Sequence, residues 1–240
     1  MKRISFILAA CLILSSAMAQ QNIVHDANAQ SRTTGDFHAI SVSTGIHLYF
    51  TQGNERAVAV SAADPTYRDR IKTEVVDGVL KIYYENKNRF GFWSDDHPKD
   101  LKAYVSCPKI DGLKASAGAQ LEIEGMLKSA NLALDLSSGA HFTGKVEVGE
   151  LSMDGSSGAH GAISGTATTM KVQTSSGSHV EGFELQTDAC DARTSSGGSV
   201  SINVRKELSV SASSGGHVYY KGDGVIRNVN TSSGGGVSRR

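Results

Sequence analysis

Ser-Ser-Gly begins at residues 137, 156, 175, 195, 213 and 232 of this 240-residue chain, at steps of 19, 19, 20, 18 and 19 residues. A weaker copy, Ser116-Ala117-Gly118, precedes the first by 21 residues. A near-constant period of this length marks a repeat architecture, in which each unit buries its apolar face only against its neighbours. Aligned on the motif, the copies form columns. Leu132, Leu151, Met170, Cys190, Leu208 and Arg227 stand five residues ahead of it, and Leu134, Met153, Val172, Ala192, Val210 and Val229 three ahead. Polar residues lie between them, so each repeat alternates with period two, the pattern of a half-buried strand. Phe142, Val180, Val200, Val218 and Val237 form a further inward column past the motif, broken by Gly161.

A unit of 19 residues is too short for a strand–helix–strand crossover, which takes about 30. It fits one coil of a right-handed parallel β-helix, with coils stacked about 4.8 Å apart. The expected fold is therefore all-β: a β-solenoid over residues 101–240, preceded by an irregular strand-rich region over 36–100. Gly permits the corner that each coil must turn. If alternation runs on through that corner, the second Ser and the small residue after Gly (Ala140, Ala159, Ser178, Gly198, Gly216, Gly235) face inward, and stacked hydroxyls bond one another.

Residues 1–19 follow the plan of a secretory signal, with Lys2 and Arg3, an apolar run from Ile4 to Leu14, and Ala17-Met18-Ala19 as the cleavage pattern. That run is too short to span a bilayer as a helix, which needs about 20 residues. Leu8-Ala9-Ala10-Cys11 has the letters of a lipobox, but processing there would strand Leu12-Ile13-Leu14 in the mature chain. Cleavage after Ala19 is the better reading. Residues 20–35 are polar and read as a flexible leader. Alternation begins with Ile40 and Val42, continues through Ile46, Leu48, Phe50, Val58 and Val60, and Asp77-Gly78 signals a hairpin. Residues 86–100 interrupt the pattern and hold Phe90, Phe92 and Trp93, the only Trp. Such a loop is a candidate contact site, unless its rings fold back to cap the core.

Lys and Arg together number 24, as do Asp and Glu, with no basic block. The electrostatic footprint of a nucleic-acid binder is missing, and no second apolar stretch marks a membrane span. Two cysteines survive processing, Cys107 and Cys190. Export permits a disulfide, but spacing cannot place them within bonding distance, and they read as small buried hydrophobes.

His141, His160, His179 and His217 share one repeat position, with Gln120, Ser199 and Gly236 in the other copies. Imidazoles one coil apart could chelate Zn²⁺ or form a strip whose charge follows pH. No carboxylate partners are evident beside the column, so it reads as a solvated ladder and a candidate binding surface, with no metal and no cofactor. Asp135 and Asp154 share another outward column. Adjacent coils could bring their carboxyls to the roughly 5–9 Å of a glycosidase pair, yet the column continues with Gln173, Arg193, Ser211 and Asn230. The serines recur in every coil and form no Gly-x-Ser-x-Gly elbow. They are structural.

Phe37-His38-Ala39-Ile40-Ser41-Val42, Ile46-His47-Leu48-Tyr49-Phe50-Thr51-Gln52-Gly53 and Thr73-Glu74-Val75-Val76-Asp77-Gly78-Val79-Leu80-Lys81-Ile82, followed by the Ser-Gly corners, carry a resemblance. In that order they resemble the head GIN domain family, grouped as putative auto-transporter adhesins, over about residues 36–235. The resemblance implies an exported protein of Bacteroidetes-type Gram-negative bacteria, a pectin-lyase-like β-helix, a role in adhesion, and no catalytic residues. Cys107 departs from the family in Tyr104-Val105-Ser106-Cys107-Pro108, where an apolar residue is usual before Pro. The resulting expectation is an exported, non-enzymatic β-solenoid that binds an envelope glycan or protein at the periplasm, outer surface or outside the cell. The alternatives are a carbohydrate-active enzyme using Asp135 and Asp154, or a structural envelope protein that self-assembles as a homo-oligomer.

Overall fold

The computed structural model describes residues 26–86 and 99–240, so the secretory-signal segment over 1–19 and the trio Phe90, Phe92 and Trp93 lie outside the described residues. The chain begins with β1 (Gln30–Ser31), β2 (Ala39–Val42), β3 (His47–Gln52) and β4 (Ala57–Ser61). A short helix, α1 (Pro65–Arg68), starts where the Asp64 carboxylate accepts the Thr66 N–H. β5 (Ile71–Val76) and β6 (Val79–Tyr84) then form the antiparallel hairpin expected at Asp77-Gly78. Both turn residues have positive φ, 52° and 75°, as a type I′ turn requires. β7 (Lys102–Cys107) and β8 (Gly112–Ala115) follow. Five long strands make the successive coils: β9 (Gln120–Leu136), β10 (His141–Gly155), β11 (His160–Thr174), β12 (His179–Thr194) and β13 (Ser199–Ala212). β14 (His217–Lys221), β15 (Val225–Thr231) and β16 (Gly236–Arg239) end the stack.

Neighbouring coils pair in parallel and place like residues over like. Leu132, Leu151, Met170, Cys190 and Leu208 stack one above another, as do Leu134, Met153, Val172, Ala192 and Val210. All of these are buried. The fold is a β-solenoid. Gly161 breaks one column, and the Met153 side chain occupies the gap, its Cε lying 2.3 Å from where a Cβ would stand. Met has the flexibility for that role.

Spatial order departs from chain order at the N-terminal end. β2 lies between β6 and β8, and β3 between β7 and β9, all parallel. The coil made of β6 and β7 therefore stacks outside the earlier one made of β2 and β3. β4 and β5 run antiparallel against β7 and β6, and β1 pairs antiparallel with β4. Gln30 and Ser31, within the polar stretch over 20–35 read as a flexible leader, thus supply a two-residue edge strand.

The corners differ from simple alternation. Ser138 and Gly139 both have positive φ, 52° and 71°, and the Ala140 N–H donates to the Ser137 carbonyl at 3.1 Å. This is a type I′ turn, repeated at Ser157, Ser176, Ser196, Ser214 and Ser233. The two successive left-handed residues turn the second Ser outward, while the inward positions on either side keep their parity: Leu136, Ala140 and Phe142 are buried, as are Ala159 and Ser178. Backbone groups join the corners, and at one of them the buried Ser178 hydroxyl also donates to the Gly155 carbonyl at 2.8 Å. Gly139, Gly158, Gly177 and Gly197 each donate their N–H to the carbonyl of the second Ser one coil on, at 3.0–3.1 Å. Beneath the corner the core narrows toward the C-terminus: a Cβ on Gly216 would fall 2.6 Å from the Thr194 hydroxyl.

The last coil also departs from the alignment. Ile226, not Arg227, faces Leu208, because the register shifts by one between Leu208 and Ser209. Arg227 is the extra residue and reaches Glu207 at 2.8 Å. The bulge lets the apolar Ile226 stack on Leu208 and leaves the guanidinium on the outer face beside Glu207. Cys107 and Cys190 are free and buried, and burial pushes their thiols up to about 11 and about 12. They are inert at neutral pH.

Candidate functional site

Each corner aims the next residue but one outward onto the wall that follows it, and that position forms the histidine row. His141, His160 and His179 stand on consecutive coils in register. Their rings follow one another at 6.0 and 5.3 Å between centroids, the second pair stacked within 20°. Ser199 then separates His179 from His217. The His179 Nδ1 bonds the Ser199 hydroxyl, its Nε2 lies 3.3 Å from Glu181, and the His217 Nδ1 meets the Gly215 carbonyl at 2.9 Å. Stacked rings offer faces to one another rather than converging nitrogens. Among the described residues, no cluster of three or more His, Cys, Asp or Glu is placed to hold a metal ion.

The row is longer than its repeats suggest. His47 pairs with Gln120 on one side and Lys102 on the other, extending the row into the N-terminal region. Ser43-Thr44-Gly45-Ile46-His47 carried the signal, since it repeats the corner motif one residue out of its usual letters. Two positions further along each strand, tyrosines mark both ends of the wall. Tyr49 stacks on His47 at 4.1 Å and on Tyr104 at 5.3 Å. Tyr219 stacks on His217 at 6.2 Å, with the Arg240 guanidinium 4.7 Å from its ring. Burial, then the hydrogen bond to Asp26, hold the Tyr104 phenol well above its usual range. Between these ends the same column carries Glu122, Thr143, Ala162, Glu181 and Ser201. Two carboxylates thus stand beside the row, where the sequence showed none, Glu122 3.4 Å from His47 and Glu181 3.3 Å from His179.

The insertion that holds Phe90, Phe92 and Trp93 is bracketed by β6 and β7. Every other coil has its Ser-Gly corner at that place, so Lys102, the residue that resumes the wall, heads the histidine row. Asp135 and Asp154 do stack on adjacent coils, but Lys114 pairs with Asp135 at 2.6 Å. Burial, then the neighbouring Asp135, raise the Asp154 carboxyl above its ordinary range.

A capped parallel β-solenoid with one wall of stacked imidazoles and phenols defines the class: a rigid repeat scaffold that presents a surface. The chain belongs to the family described as putative auto-transporter adhesin, head GIN domain, whose model matches residues 36–224. No curated protein matches it. The fold is similar to that of a putative adhesin from Bacteroides fragilis, 17% identical, with TM-score 0.77 over 88% of this chain and 95% of that one. A putative lipid binding protein from Parabacteroides distasonis is 16% identical, with TM-score 0.66 over 90% and 98% of the two chains. A putative adhesin from the same organism is 16% identical, with TM-score 0.70 over 88% and 96%. These likenesses establish the shared fold. Among the described residues, no helix is long and apolar enough to cross a membrane.

Proposed function

We propose that this chain is an exported, non-enzymatic binding module of the cell envelope, and that the histidine wall is its contact surface for an envelope glycan or protein. The observation that carries the reading is the in-register row of His141, His160 and His179, flanked by the Tyr49–Tyr104 and Tyr219 rings. A wall hydrogen-bonded rung to rung is preorganised, so little ordering free energy is lost on contact. Repeated weak contacts along it add through multivalency. The secretory-signal pattern over 1–19 supports export, and Phe90, Phe92 and Trp93, in the segment between β6 and β7, are a second proposed contact. The column of Asp135 and Asp154 is left as solvated surface.

Capture of envelope components by the purified full chain tests this. Replacing His141, His160 and His179 together by Ala is expected to lower capture at least fivefold, on the order of 1 kcal/mol. Equal capture by the triple variant, with an unchanged melting temperature, would remove the wall from the proposal. Trp93→Ala, assayed in parallel, weighs the contribution of the insertion.

A further inference from the structure

Coil length varies along the solenoid, and the variation carves the wall. Between Glu122 and Met126 β9 carries three residues where β10 carries Gly144 alone. On the other side β12 carries Phe183, Glu184 and Leu185 with no counterpart in β13. The 21-residue and 20-residue repeats therefore bulge, and the two 19-residue coils between them sit low. The result is an open groove of about 580 Å³ beside the histidine row. Ala162 and Phe183 give its lining half-exposed apolar surface, and the buried Ile123 and Ile163 lie beneath it. The Lys221 ammonium, 5.5 Å from the Phe183 ring centroid, supports that ring. Glu181 and Lys145 bring opposite charges to the lining, and Glu181 is the residue that touches His179.

We propose that this groove is a saccharide-binding site, taking pyranose rings of an oligosaccharide laid across the low coils. The inference rests on reading the chain as a binding module. A pyranose has an apolar C–H face, which matches an aliphatic floor with an aromatic ring, and peripheral hydroxyls that donate to a carboxylate and accept from an ammonium. The other occupants fit less well. A peptide strand needs a free sheet edge, whereas this groove opens on a sheet face where β10 and β11 are each paired on both sides. An acyl chain would desolvate Glu181 and Lys145 with no hydrogen bond in return, at a cost of several kcal/mol.

The test is titration of the full chain with a panel of soluble neutral hexose and N-acetylhexosamine oligosaccharides, followed by backbone amide NMR and calorimetry. Saturable shifts at residues 143–145, 162–164 and 181–184 are expected for at least one panel member. Ala162→Trp, which fills the groove from an outward position, should weaken binding at least tenfold, and Glu181→Gln and Phe183→Ala about fivefold, with melting temperatures unchanged. No saturable binding by the panel, or binding that Ala162→Trp leaves unaltered, overturns the groove site even if wild-type protein still captures envelope material through the wall. Conversely, envelope capture indifferent to the triple histidine variant, beside panel binding abolished by Ala162→Trp, removes the wall and keeps the groove.

Discussion

The two ends of the solenoid solve the same problem differently. At the N-terminal end the chain doubles back, laying the coil of β6 and β7 outside its first coil and covering the flank with antiparallel β4 and β5. Large side chains fill that end: Phe37, Ile40, Ile46, Phe50 and Ile82 are all buried. Arg56 and Arg70 add cation–π contacts over Phe37 and Tyr84. At the C-terminal end no coil covers β15 among the described residues. Val225 and Val229 are 58% and 51% exposed, although Val210, the stacked counterpart of Val229, is buried. A stacked fold buries a residue only through a neighbour on each side, so apolar character alone does not make a core position. Stability should therefore be graded along the axis, greatest where coils are flanked and least at the open rung.

The largest expected effect is in hydrogen exchange. Amides of β15 and β16 should exchange at least about a thousandfold faster than those of β10 and β11, as fraying does relative to global opening. Uniform protection from β2 to β16 would abolish the asymmetry. Next come paired truncations. Phe142→Ala, in a flanked coil, is expected to cost about 3–5 kcal/mol in urea unfolding, whereas Val229→Ala should stay within about 0.5 kcal/mol. Comparable losses would mean the terminal rung is covered in solution. The smallest effect concerns Asp154. Its raised carboxyl means the folded chain holds that proton more tightly than the unfolded chain. The associated stability is present below the ordinary carboxylate range and is lost as pH rises through the raised value. Asp154→Asn should thus be more stable than wild type at neutral pH, by a few tenths of a kcal/mol given its exposure. The gap should close near pH 3, and no pH dependence in it would mean the site is fully solvated.

The repeat itself was legible because stacking forces columns to match, and six Ser-Ser-Gly copies recorded it. The hairpin at Asp77-Gly78 was legible for the same local reason, a turn whose angles few residues tolerate. Three features were not. The inverted order of the first two coils leaves no local trace, since parallel pairing depends on which coil arrives beside which. The outward second Ser follows from two left-handed residues in a row, and alternation alone cannot anticipate that excursion. Arg227 was misplaced because a fixed offset ignores a bulge. Of the wall, the four repeat histidines could be read directly, whereas the tyrosine ends and the groove required coil pairing. The uneven steps of 21, 19, 19, 20 and 18 residues nonetheless held the groove's outline.

One feature of the corners reaches beyond stability. From Gly118 to Gly215, the Gly N–H that closes each three-residue corner motif reaches the same carbonyl one rung on, whatever residues surround it. That makes the corner column a vertebral spine, indifferent to how many segments it joins. Excision of residues 156–174 would bring Gly155 to Ser175, a junction of the kind that already precedes every corner, and would set His141 directly over His179. The molecule can thus lengthen or shorten in whole segments through duplication or loss, with its reach adjusted and its cross-section preserved.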